Sequence, residues 1–221
     1  MTATDSSAAV AADDTGHAAT RVLLVRHGET DWNTQTRLQG HTDIPLNARG
    51  REQARRVGQA LAGIRLDAVY SSDLQRAFDT ARAMADATGA PLHAEPALRE
   101  RQFGCFEGLT YAEVEARWPE PARRWRLRDP AFGPDGGETL AAFHARCLAV
   151  AERLVARHAG GHIALVAHGG VLDSLYRAAT RVALDAPRSW RMANASLNRL
   201  LHGSSGFVLV GWDDDTHLQG L

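Results

Sequence analysis

At 221 residues, with 44% hydrophobic and 23% charged residues, the chain is long enough for one substantial α/β domain and ordinary in its apolar content. A formal net charge of -1 excludes a global basic field for nucleic acid, and no apolar run is long enough to span a membrane. The two cysteines, Cys105 and Cys147, are too few for a disulfide framework, and neither has zinc-ligand company nearby.

Residues 1–20 are rich in Ala, Ser, Thr and Asp and lack both a basic start and a long apolar stretch. They are expected to form a disordered leader, not a secretory signal, on a cytoplasmic protein whose folded domain is 21–221. Residues 21–25 read as a short buried strand that stops at Arg26-His27-Gly28. Ligands of open α/β sheets bind beyond the carboxyl ends of strands. A cation before a histidine suits an anion there, and Gly28 lets backbone come close. Taken alone, R-H-G reads more simply as a surface histidine in a turn.

The pattern returns, however. Residues 163–167 form another apolar strand, ending in His168-Gly169-Gly170. If the two strands are neighbours, both imidazoles face one pocket.

Between them the chain alternates. A polar loop, 34–46, is broken by Gly40 and Pro45; Asn47 is the N-cap of a helix over 48–62, stopped at Gly63. A strand over 66–71 leads to a helix ending near 88, with Ser71, Ser72 or Asp73 as its cap. Arg76 falls in that helix's first turn, where a cation opposes the macrodipole. Either a bound phosphate offsets it, as helix N-termini bind anions, or it pairs with Asp73 or Asp79. After a short strand over 91–94, Glu100 sits in a charged run and by itself reads as a solvated carboxylate.

Thr110 and Glu113 form a capping box opening a helix to about 118. Residues 119–134, with Arg123, Arg124, Arg126 and Arg128, read as a lid or a solvated face. Leu140, Phe143, Cys147, Val150 and Leu154 mark a helix over 139–158, with Cys147 on its core stripe. A helix over 171–179 follows the second His-Gly. Residues 195–201 and 207–212 form a hairpin, which is a candidate homodimer surface. Asp213-Asp214-Asp215 read as a solvated turn. His41, His93 and His202 read as surface residues, and Gly160-Gly161 separates His158 from His162, so neither is taken as a metal ligand. The alternation argues for a single α/β domain: a doubly wound, mostly parallel sheet with helices on both faces.

RHGETDWN at 26–33 resembles the signature of the histidine phosphatase (phosphoglycerate mutase-like) superfamily. RLQG at 37–40, PLNARG at 45–50, YSSDLQRA at 70–77, LRE at 98–100 and VAHGG at 166–170 resemble that family's further motifs. The likeness spans about 21–218. GGETL at 136–140 and the C-terminal run from Asn194 look most like its broad-specificity and alpha-ribazole phosphatase branch.

The resemblance implies that His27 is the nucleophile and becomes a phosphohistidine. It implies that Arg26 and Arg76 clamp the phosphoryl oxygens, that His168 donates to the same group, and that Glu100 protonates the leaving oxygen. Asn33, Gln39, Gly40 and Gly169 would border the substrate, with no metal and no cofactor required. The chemistry agrees: a histidine attacks phosphorus only through an unprotonated nitrogen, and flanking guanidiniums disfavour imidazolium. The expected activity is hydrolysis of small phosphorylated metabolites. The alternatives are a phosphoglycerate mutase, with Arg101 and the 123–128 cluster holding a carboxylate, and an inactive phosphate-binding module. Selectivity is expected in 102–111 and 119–134, with Cys105, Phe106 or Leu109 on the leaving-group side.

Overall fold

The computed structural model describes residues 19–221. The expected leader lies outside the described residues except at its end, where Thr20 already belongs to the first strand. That strand, β1 (Thr20–Arg26), is followed by one unforeseen turn of helix, α1 (Asp31–Thr34), closed by a Thr30–Asn33 capping box. Asn47 caps α2 (Ala48–Leu61) by accepting the Gly50 N–H. Strand β2 (Ala68–Ser71) then leads to α3 (Gln75–Thr88). None of the three anticipated residues caps α3: its N-cap is Leu74, and Ser72 Oγ accepts the Leu74 N–H instead.

After β3 (Leu92–Ala94) come the paired helices α4 (Tyr111–Arg117), with the expected Thr110–Glu113 box, and α5 (Pro119–Arg126). Thr139 caps α6 (Leu140–Ala156), and β4 (His162–Ala167) runs into α7 (Gly169–Thr180). The last helix starts two residues earlier than its apolar pattern suggested, with His168 at its N-cap and both glycines in its first turn. A hairpin of β5 (Leu197–Gly203) and β6 (Gly206–Asp214) closes the fold.

The six strands lie in the order β3-β2-β4-β1-β5-β6. The first four are mutually parallel, β5 runs antiparallel to β1, and β6 antiparallel to β5. Strand alternation distributes β1 between two cores. Val22 and Leu24 pack on the α6–α7 side with Phe143, Leu154, Leu172 and Leu175. Leu23 and Val25 pack on the α2–α3 side with Val57, Leu61, Ala81 and Met84. Cys147 is buried in the first of these, where desolvation pushes its thiol up to about 12. A third, smaller cluster of Phe106, Val114, Ala122 and Phe132 holds α4 and α5 together as a separate lid.

The acidic run near the C-terminus is not a free turn. Asp213 and Asp214 are in β6, and Asp213, Asp214 and Asp215 engage Arg191 and Arg199.

Candidate active site

Strands β1 and β4 pair in parallel with Arg26 opposite Ala167, and the His27 N–H donates to the Ala167 carbonyl at 3.0 Å. That register brings the two His-Gly turns to one point on the sheet edge. The ring centroids of His27 and His168 are 5.1 Å apart. His27 is followed by glycine because the chain there passes close to another element. A Cβ on Gly28 would lie 2.5 Å from the Gly50 carbonyl oxygen, at the start of α2.

His27 is buried, and its Nδ1 lies 2.7 Å from the carbonyl oxygen of Gly28. A carbonyl only accepts, so Nδ1 carries the hydrogen and Nε2 keeps its lone pair. Burial, then Arg76, then Arg26 hold the ring well below the usual histidine range, against the pull of the Gly28 carbonyl. The guanidiniums act as expected, although loss of solvent is the larger cause. His168 is likewise pushed well below the usual range by burial, with Arg76, His27 and Arg26 adding to it. Its Nε2 lies 2.9 Å from Ser72 Oγ.

Arg76 is completely buried in the first turn of α3. It pairs with neither proposed aspartate: Asp73 binds Arg99 at 2.6 Å, and Asp79 lies 3.9 Å from Arg82. Its guanidinium donates to the carbonyls of Gly40 at 2.8 Å and Thr42 at 3.0 Å. Burial lowers it to about 10, so it remains a cation at neutral pH. A buried charge with no ion-pair partner is costly, and a bound anion relieves that cost. Arg26 is the second such cation; it donates to the Met192 carbonyl. The Nε atoms of Arg26 and Arg76 and the Nδ1 of His168 are buried with no protein partner.

Glu100 is not the solvated carboxylate its local sequence suggested. Its Oε2 accepts the Gly170 N–H at 3.0 Å and its Oε1 accepts the Arg101 N–H at 2.8 Å. Arg146 on α6 fixes the segment, donating to the carbonyls of Ala97, Arg99 and Glu100 while pairing with Glu138. His41, expected on the surface, reaches the Glu100 carbonyl with Nε2 at 2.9 Å.

These groups border a cavity of about 770 Å³. Arg26, His27, Asn33, Gln39, Gly40, Arg76, Glu100 and Gly169 all lie on its wall, while His168 is fully buried behind it. The Asn33 amide oxygen is taken by Thr30 and Asn194, which leaves its NH2 as a donor.

The lid side is built by Phe103, Tyr111 and Trp125. Cys105, Phe106 and Leu109 do not line the cavity: Cys105 is exposed, Leu109 packs into the lid, and Phe106 stacks behind Trp125 at 5.1 Å. The arginines at 123, 124 and 126 are paired with Glu120, Asp129 and Glu115, whereas Arg128 turns inward to Asp173 at 2.6 Å.

The opposite wall, from Pro187 to Met192, was missed from the sequence because it is irregular and has no apolar period to announce it. Asn194, whose side chain donates to the His27 carbonyl at 3.0 Å, ties this wall to the Arg26-His27-Gly28 turn. Among the described residues, no group of three or more His, Cys, Asp or Glu is arranged as metal ligands.

Comparison with known proteins agrees with this geometry. The family model for the histidine phosphatase superfamily (branch 1) matches residues 22–215. The chain is 38% identical to phosphoglycerate mutase-like protein 4 of Arabidopsis thaliana, covering 90% of this chain and 86% of that one. It is 34% identical to a metal-independent phosphoserine phosphatase of the same plant, covering 91% and 84%. The solved structure of Bacillus stearothermophilus YhfR superposes with a TM-score of 0.84 at 32% identity, over 91% of this chain and all of that one. With its sheet order, paired His-Gly turns and buried arginines, the chain belongs to the histidine phosphatase superfamily, branch 1.

Proposed function

We propose that this phosphatase hydrolyses small phosphomonoesters by way of a phosphohistidine on His27. The observation that carries the reading is the His27 ring itself: buried, with Nδ1 held by the Gly28 carbonyl, Nε2 left free, and burial, Arg76 and Arg26 all disfavouring its charged form.

In the first step the Nε2 lone pair attacks phosphorus and the P–O ester bond breaks. Glu100 gives its proton to the departing alkoxide, which leaves poorly without one. In the second step water attacks phosphorus, Glu100 takes the water's proton, and the P–N bond breaks to restore Nε2. Arg26 and Arg76 meet the charge on the phosphoryl oxygens, and His168 donates to the same group, since phosphoryl transfer needs positioning and charge stabilisation above all. Asn33, Gln39, Gly40 and Gly169 border the substrate.

Hydrolysis is favoured over the mutase reading because the arginines at 123, 124, 126 and 128 that would hold a substrate carboxylate are paired with the protein's own acids. Arg101 commits two donors to the carbonyls of Phe132 and Glu138. A cytoplasmic setting accords with two free cysteines, and a homodimer through β6 accords with the exposed Val208 and Val210 on that edge strand. No described helix is long and apolar enough to cross a membrane.

Phosphate release by wild type and His27→Ala, with acid-labile labelling of the quenched enzyme, tests the mechanism. The variant is expected to lose activity by at least about 1,000-fold and to take up no label. Equal rates in both proteins, or label on another residue, would overturn it.

A further inference from the structure

We propose that Ser72 is a positioning residue that decides which nitrogen of His168 carries its proton, so that His168 presents an N–H to the transferring phosphoryl group. The inference rests on the hydrolytic reading above and adds a residue to it.

Both side chains are fully buried, so every hydrogen between them must be accounted for within the protein. Ser72 Oγ accepts the Leu74 N–H at 3.3 Å and lies 2.9 Å from His168 Nε2. Its own hydrogen has no other acceptor among the described residues. Donated to Nε2, that hydrogen is satisfied. If Nε2 carried a hydrogen and donated instead, the hydroxyl hydrogen would be left unpaired without solvent, which is costly.

A neutral imidazole has one N–H, and accepting at Nε2 puts it on Nδ1. Burial and the neighbouring cations keep His168 neutral. Nδ1 is the ring nitrogen with no protein partner, as are the Nε atoms of Arg26 and Arg76. The phosphoryl oxygens only accept, so this tautomer supplies a third open donor, whereas the opposite one would aim a lone pair at them. The serine is held in place: its N–H donates to the Val166 carbonyl at 3.0 Å, two residues before His168 on β4. The sequence offers Ser72 as one of three helix caps, and nothing in the chain order links it to position 168.

The test uses the full chain labelled with ¹⁵N, reading the imidazole nitrogens by long-range ¹⁵N–¹H correlation near neutral pH, with His168 assigned by its loss in His168→Gln. The expected result is a His168 protonated on Nδ1 in wild type and a shift toward the Nε2–H form in Ser72→Ala. With that shift, kcat falls about 10- to 100-fold and KM changes less, as for loss of one aimed donor. Ser72→Thr keeps the hydroxyl and restores both. A wild-type His168 protonated on Nε2 overturns the proposal, as does a Ser72→Ala protein with unchanged tautomer and kcat. The wild-type spectrum decides even if Ser72→Ala fails to fold. The tautomer does not depend on turnover, so loss of the hydrolytic reading itself would show separately, as wild type releasing no more phosphate than His27→Ala.

Discussion

Gly170→Ala separates Glu100, the proposed acid, from the rest of the site. Gly170 sits in the first turn of α7 and gives its N–H to Glu100 Oε2. A methyl group built there lies 2.2 Å from Glu100 Oε1 and 2.9 Å from two atoms of the Phe143 ring. Phe143 is 2% exposed within the α6–α7 core and has little room to withdraw. The carboxylate yields instead, by about 1 Å, to reach ordinary contact; misplacement of that size costs on the order of 100-fold in rate. Stability changes far less. Overpacking costs about 1–3 kcal/mol, while alanine for glycine in a helix returns up to about 1 kcal/mol.

The assay compares two substrates. A nitrophenolate leaves without a proton, so Gly170→Ala should lower kcat/KM, which reports only the steps up to phosphohistidine formation, about 100-fold for an alkyl phosphate and less than about 10-fold for p-nitrophenyl phosphate. An equal loss of kcat/KM on both substrates would show that Glu100 is not the acid. Undiminished activity would show that the Glu100–Gly170 contact does not position it.

Two further outcomes follow from burial. His27 and His168 are held below the ordinary value of about 6.5 that they regain on unfolding. As pH falls below about 6.5 the unfolded chain binds protons that the folded one refuses. Stability is therefore full above that pH and declines below it, by up to about 1.4 kcal/mol per pH unit for each histidine. Urea unfolding between pH 5 and 7 should show the decline, flattened in His27→Ala; identical slopes would contradict it. For the thiols, Ellman's reagent should titrate Cys105 alone in the native protein and reach Cys147 only in denaturant, because Cys105 is exposed and Cys147 is buried with its thiol at about 12. Two fast thiols in the native state would refute this.

The sequence by itself determined the sheet and its partners in chemistry. Apolar runs ending in Arg26-His27-Gly28 and His168-Gly169 announce buried strands with a polar site at their ends, and the helix period around Phe143 and Cys147 announces α6. These signals are local: a strand's pattern, a cap, a breaker. The mutual placement is not local. That Arg76 meets the carbonyls of Gly40 and Thr42 and not Asp73, that Glu100 is anchored by Gly170, and that Arg146 and His41 hold its carbonyl are facts of side chains distant in the chain.

The wall from Pro187 to Met192 has no period to read; the packing of β5 against β1, with Arg26 on the Met192 carbonyl and Asn194 on that of His27, delivers it to the cavity. Cys105 and Phe106 lie in the right loop, yet the stacking of Phe106 on Trp125 turns one inward to the lid and leaves the other to solvent. Hydrophobic pattern decides which elements form; register and burial decide which of their polar groups meet, because only the folded sheet brings the ends of β1 and β4 side by side.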